Sequence, residues 1–190
     1  MSIILASGSP RRKELLEMLG VKDLIIIPAR GEEKVSPGMA PADIVSSLSR
    51  AKAAEVAAAR SEEDVVIAAD TIVWFDGRLF GKPADEEQAA AMLKELSGEK
   101  HQVFTGVTVM KGDCVITEVE TTDVYFRRLS DREIHAYVAT GEPMDKAGAY
   151  GAQGKASLFV RGIDGDFFNV MGLPVCRLGK MLKEQGVELL

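Results

Sequence analysis

The chain has 190 residues, about one domain's worth at the usual ~100 to 200 residues per domain, and is 46% hydrophobic and 27% charged. That balance excludes a disordered or collagen-like chain and leaves enough apolar matter for a sizeable core. Lys plus Arg number 23 against 29 Asp plus Glu, a net charge of −6, which excludes a general binder of nucleic acid or of a membrane surface. A small anionic ligand stays open, because a local cluster of Arg and Lys sets the potential of one pocket whatever the sum over the surface.

Cys114 and Cys176 are the only cysteines, far apart and without metal-ligand spacing, so neither a disulfide framework nor a zinc site is expected. No run reaches the ~18 apolar residues of a membrane span, and Met1 to Leu5 is too short for a secretory signal. The expected location is the cytoplasm.

In chain order, Ile3 to Leu5 reads as a strand, Ala6 to Ser9 as a turn, and Pro10 to Leu19 as a helix with Ser9 as its N-cap and Gly20 as its stop. Leu24 to Ile27 reads as a buried strand ending at Pro28, and Ala29 to Ala40 as a loop. Pro41 opens a helix to about Arg60 with Ile44, Val45 and Leu48 on one face. Val65 to Ala69 reads as a strand ending on Asp70-Thr71, after which Ile72 to Phe75 leads to a hairpin turn at Asp76-Gly77. Asp85 caps a helix to Leu96. Two long strands, His101 to Met110 and Cys114 to Phe126, form a hairpin. Ser130 to Glu133 has the capping-box pattern and opens a helix to Thr140. Gly141 to Lys155 holds four glycines without periodicity and reads as a structured loop too polar for the core. Leu158 to Ile163 reads as a strand and Pro174 to Gln185 as the last helix. Helices interspersed with hairpins give an α/β fold with a mixed sheet, and disfavour a purely parallel one.

Three clusters could carry chemistry. Ser7-Gly8-Ser9-Pro10-Arg11-Arg12-Lys13 gathers two hydroxyls and three cations at a strand-to-helix turn, where backbone N–H groups and the helix dipole favour phosphate and Arg offers a bidentate fork. A plain N-cap followed by a solvated basic turn fits the same residues. Asp70, with Thr71, stands where a strand end would point a carboxylate into a crevice, although Asp-Thr also starts turns. Glu32 and Glu33, with Gly81-Lys82-Pro83, could add the carboxylates and lysine that phosphoryl chemistry with Mg²⁺ needs, or form a solvated loop. In the third cluster, Gly141 to Gly154, Tyr150 could stack on a ligand and Gln153 could pair its amide with the edge of a base. Walker A, dinucleotide-binding and nucleophile-elbow motifs are missing, and His101 and His135, the only histidines, read as structural.

Leu5-Ala6-Ser7-Gly8-Ser9-Pro10-Arg11-Arg12, Ala69-Asp70-Thr71, Gly81-Lys82-Pro83, Leu96-Ser97-Gly98, Thr105-Gly106-Val107, Gly141-Glu142-Pro143 with Asp145 to Gly151, and Gly172-Leu173-Pro174 occur in that order. Together they resemble the Maf family of nucleoside triphosphate pyrophosphatases, also called septum-formation inhibitor Maf-like proteins. The resemblance spans nearly the whole chain and implies a single domain over residues 1–190. It implies an α/β fold with an elongated mixed β-sheet flanked by helices, two lobes around a deep cleft, similar to inosine triphosphate pyrophosphatases.

It also implies a reaction in which a nucleoside triphosphate and water give the monophosphate and pyrophosphate. Asp70 would accept the proton of the attacking water. Ser9, Arg11, Arg12, Lys52 and Lys82 would hold the triphosphate, and Glu33 with Asp70 would hold a divalent cation, Mg²⁺ or Mn²⁺. The run Lys146 to Gly154 looks like the branch acting on dTTP and UTP, modified pyrimidine nucleotides included, with Arg11, Thr71 and Gln153 tied to that choice. The expected partner is a small nucleoside triphosphate, with no nucleic acid and no membrane, and homodimerisation is left open. A non-catalytic nucleotide-binding regulator of cell division is the alternative. Pyrophosphate release from dTTP separates the two.

Overall fold

The computed structural model describes residues 1–32 and 34–190, so Glu33 lies outside the described residues. The chain divides into two compact units: Met1–Asp70, Thr105–Glu120 and Gly172–Leu190 form one, and Thr71–Phe104 with Thr121–Met171 form the other. Strands β1 (Ile3–Leu5), β2 (Ile25–Ile26), β3 (Val65–Phe75), β4 (Arg78–Phe80), β5 (Lys100–Lys111), β6 (Cys114–Phe126) and β7 (Val160–Asp164) are interspersed with helices. Among the described residues they make one seven-stranded sheet in the order β2-β1-β3-β5-β6-β7, with β4 paired to β3 off that path. β1 runs parallel to both β2 and β3, whereas β3 with β4 and β6 with β7 are antiparallel. The sheet is mixed, as the interspersed helices and hairpins implied. No helix among the described residues is long and apolar enough to cross a membrane.

Helices α1 (Pro10–Met18), α2 (Pro41–Ala57), α3 (Glu86–Leu96), α4 (Asp131–Val138), α5 (Phe167–Met171) and α6 (Val175–Glu184) follow the strands in chain order. Local chemistry sets most of their ends. Asp85 accepts from the Gln88 amide at 2.7 Å to start α3. Ser130 and Glu133 satisfy one another's backbone N–H groups to start α4, which is the capping box in full. Asp76 and Gly77 both have positive φ, 49° and 71°, the conformation that joins β3 to β4 in a tight hairpin.

Three expectations are corrected and one element is added. The second strand is two residues long and exposed, Ile25 at 39% and Ile26 at 37%, because it pairs only with β1 and forms the sheet edge. The strand through Asp70 does not end there but runs unbroken from Val65 to Phe75. The Gly141 to Lys155 loop is not wholly outside the core. Its 3₁₀ turns, Glu142–Asp145 and Ala147–Ala149, fold Ala149, Tyr150 and Ala152 inward against Phe126 and Phe159, so Tyr150 is core and not a ligand platform. Finally, the five-residue α5 escaped the sequence reading, being too short for helical periodicity to show.

In the first unit the core packs Ile4, Val66 and Ala68 of the sheet against Ala53 and Val56 of α2. In the second unit Leu93 and Leu96 of α3 and Tyr137 and Val138 of α4 cover Val103, Val124 and Phe126. At the centre of the second core His101, 1% exposed, shares a hydrogen bond of 2.8 Å with Tyr150 Oη and meets the Phe126 ring edge-on at 5.0 Å. Its Nδ1 is buried with no hydrogen-bond partner among the described residues.

Burial pushes His101 down to about 4, against a smaller upward pull from Asp123. The native imidazole therefore refuses a proton that the unfolded chain accepts below about 6.5. Stability falls as pH drops from about 6.5 to about 4, by roughly 3 kcal/mol in all, and this contribution is flat below that window. Melting curves of the protein and of His101→Gln, recorded from pH 7 to pH 4, should show the steeper loss in the parent. Parallel curves would contradict a neutral buried imidazole.

Candidate active site

The first cluster is built where β1 turns into α1. Ser9 occupies the N-cap position with extended backbone and Pro10 takes the first helical position, but the Ser9 side chain makes no capping bond. Its N–H instead donates to Ser7 Oγ at 3.3 Å. The same Ser7 Oγ accepts from Arg12 Nη1 at 3.0 Å, and Arg12 Nε donates to the Gly172 carbonyl at 2.8 Å. Two bonds on adjacent nitrogens of a planar guanidinium fix its plane. Arg11 lies half-buried on the same first turn, which carries no acidic residue. The sequence does not reveal that Ser7 and the Gly172 carbonyl orient Arg12, although both lie in the motifs named above.

The second cluster rests on the docking of α2 against β5. A Cβ at Gly106 would stand 2.3 Å from the Val45 carbonyl oxygen, so any side chain there would push the helix off the sheet. Ser49 of α2 and Thr108 of β5 share a buried hydrogen bond of 3.0 Å beside this contact. One turn further along α2, Lys52 Nζ reaches Asp70 Oδ1 at 2.5 Å, and the two side chains are 20% and 11% exposed.

Asp70 lies on β3 between the stretch paired with β1 and the stretch paired with β4. The parallel pairing with β1 stops at Ile67, and the antiparallel pairing with β4 begins only at Val73. The expectation of a carboxylate at a strand end is therefore corrected: Asp70 lies within β3, past the residues of β3 that pair with β1.

In the second unit, half-buried Thr71 follows Asp70 on β3, and exposed Lys82 follows β4. The Gly81 carbonyl accepts from the Gly148 amide at 3.0 Å, which ties the Lys82 segment to the glycine-rich loop. Gln153 is exposed on a turn closed by the Gly154 N–H donating to the Gly151 carbonyl at 2.9 Å. Thus Ser9, Arg11, Arg12, Lys52 and Asp70 belong to the first unit, and Thr71, Lys82 and Gln153 to the second. Glu33 is outside the described residues. Among the described residues no group of three or more His, Cys, Asp or Glu side chains could hold a metal ion.

A family model described as Maf-like protein matches residues 2–185. The chain belongs to the Maf-like protein family. It is 49% identical over 187 residues to a dTTP/UTP pyrophosphatase of Bacillus cereus (strain AH820), covering 98% of this chain and 97% of that one. A dTTP/UTP pyrophosphatase of Bacillus anthracis gives the same figures. Among solved structures, a HAM1 protein from Coxiella burnetii is 18% identical with a TM-score of 0.53 over 97% of this chain and 99% of that one. The Ham1 protein of Staphylococcus aureus is 14% identical with a TM-score of 0.52 over 97% and 100%. These two likenesses bear on the fold, and they agree with a Maf-like chain built on a mixed sheet flanked by helices.

Removing one partner of a largely buried ion pair strands the other, whereas removing both need not. Urea unfolding of Lys52→Gln, Asp70→Asn and the double variant should give a coupling of about 0.5 to 3 kcal/mol. Strict additivity would mean that the two side chains do not hold each other in solution.

Proposed function

We propose that this Maf-like protein hydrolyses dTTP and UTP to the monophosphate and pyrophosphate. The observation that carries the proposal is the largely buried Asp70 carboxylate held by Lys52, in a unit whose β1-to-α1 turn presents an Arg12 of fixed plane. The name dTTP/UTP pyrophosphatase, borne by relatives 49% identical over nearly the full length, supports the choice of substrate.

The roles follow from the chemistry of each group. Arg11, Arg12, Lys52 and Lys82 offset the charge of the triphosphate, Arg12 through N–H groups oriented by its bonds to Ser7 and Gly172. Ser9 adds a hydroxyl at the helix start. Lys52 engages one oxygen of Asp70 and so orients the carboxylate. The other oxygen takes the proton as the water oxygen bonds to the α-phosphorus. The bond from that phosphorus to the α,β-bridging oxygen breaks, and pyrophosphate leaves with the electron pair. Gln153 meets the base, since its amide both donates and accepts and so matches the N3–H and carbonyl of uracil or thymine, with Arg11 and Thr71 sharing in that choice.

One buried carboxylate, with no larger cluster of ligands among the described residues, suits a hard cation that takes one or two protein carboxylates and completes its shell with phosphate oxygens and water. Asp70 and Glu33 would hold it. When bound, Mg²⁺ or Mn²⁺ supplies charge neutralisation on the phosphate oxygens.

The test is product analysis with dTTP, UTP and Mg²⁺, in parallel with Asp70→Asn. The parent should release pyrophosphate. The amide keeps the shape but cannot take the proton, so turnover should fall by ~10² to 10⁴ with the melting transition retained. Orthophosphate and a nucleoside diphosphate as products, or more than half the parent rate in Asp70→Asn, would refute the assignment.

A further inference from the structure

The turn that carries Gln153 is gripped on both flanks by a single carboxylate. Glu142 Oε2 accepts from the Lys155 amide at 3.1 Å, on the C-terminal side of the turn. Its Oε1 accepts from Tyr137 Oη at 3.0 Å, and Tyr137 Oη in turn accepts from the Gly151 amide at 3.3 Å, on the N-terminal side. The carboxylate lies directly beneath the turn, because a Cβ on Gly154 would stand 2.1 Å from Glu142 Oε1. Lys146 Nζ donates to the Glu142 carbonyl at 2.6 Å and so fixes its backbone too.

Tyr137 is 4% exposed, and burial together with the nearby Glu142 charge pushes its phenol well above the ordinary value, so it stays a donor. Of the two corner residues, Ala152 is buried at 6% and Gln153 is exposed. The inward corner anchors the turn and the outward one presents an amide. The turn is closed by its own Gly154-to-Gly151 hydrogen bond, and the backbone on either side of Gln153 is held from outside by Glu142 and Tyr137.

We propose that Glu142, acting through Tyr137 and the Lys155 amide, is a positioning residue for base discrimination. The inference rests on the reading that Gln153 meets the base. It adds that discrimination depends on a carboxylate eleven residues away that itself touches no substrate.

The experiment measures kcat/KM for dTTP, UTP, GTP and ATP, with melting curves, in the parent, Glu142→Ala, Tyr137→Phe, Gln153→Ala and the Glu142→Ala/Gln153→Ala double variant. Loss of a buried hydrogen bond that orients the amide should lower kcat/KM for dTTP and UTP by about tenfold in each single variant, while GTP and ATP change by less than about threefold. In the double variant Glu142→Ala should add nothing further to the loss of discrimination. If Gln153→Ala lowers discrimination but Glu142→Ala and Tyr137→Phe slow all four substrates by one factor, base reading by Gln153 stands and the positioning role is overturned. If Gln153→Ala leaves discrimination unchanged, the base reading itself fails and the positioning role falls with it. Should Glu142→Ala not fold, Tyr137→Phe, which removes one hydroxyl, decides the matter alone.

Discussion

The first unit depends on keeping one carboxylate, Asp70, in the interior of a strand. Five of its preceding neighbours, Val65 to Ala69, are at most 1% exposed, and an isolated charge beside them would cost far more than a surface ion pair returns. Lys52 is what makes the position tenable, and Lys52 can reach only because α2 lies close on the sheet. That closeness requires a glycine at 106, and the Ser49–Thr108 hydrogen bond holds the same contact. A methyl group at 106 would cost about 1 to 3 kcal/mol by overpacking and would move the lysine with the helix. Strand, helix, glycine and ion pair therefore form one dependency, in which packing and chemistry are not separable.

The β1-to-α1 turn, proposed above to meet the triphosphate, is organised by a different device. A helix N-terminus that bears Arg11 and Arg12 and no acidic residue works against its own dipole. The structure offsets this by binding the Arg12 guanidinium to Ser7 and to the Gly172 carbonyl, leaving the first helical turn without a side-chain cap. Such local conflict is what a binding turn shows when an anion is to complete it.

What could be read from the sequence was what short-range chemistry decides. Asp76-Gly77, the Ser130 to Glu133 capping box and the Asp85 cap are each specified within four residues, and each forms as expected. Asp70 could be singled out because a carboxylate after a run of buried aliphatic residues is conspicuous. That β3 passes straight through it could not be foreseen, since continuity there depends on neighbouring strands contributed by distant parts of the chain. The burial of Tyr150 is illegible in the sequence for the same reason: it comes from Phe126, Phe159 and His101. Arg12 finds the Gly172 carbonyl 160 residues away, which no local pattern encodes. Ser9 shows the converse, a residue with capping chemistry that occupies the N-cap position without making the capping bond.

The central claim is that Asp70, oriented by Lys52, delivers water to the α-phosphorus. The most direct measurement is hydrolysis of dTTP in ¹⁸O-labelled water with mass analysis of both products. The account predicts the label in dTMP and none in pyrophosphate. Label in the pyrophosphate would place the attack on the β-phosphorus and contradict it.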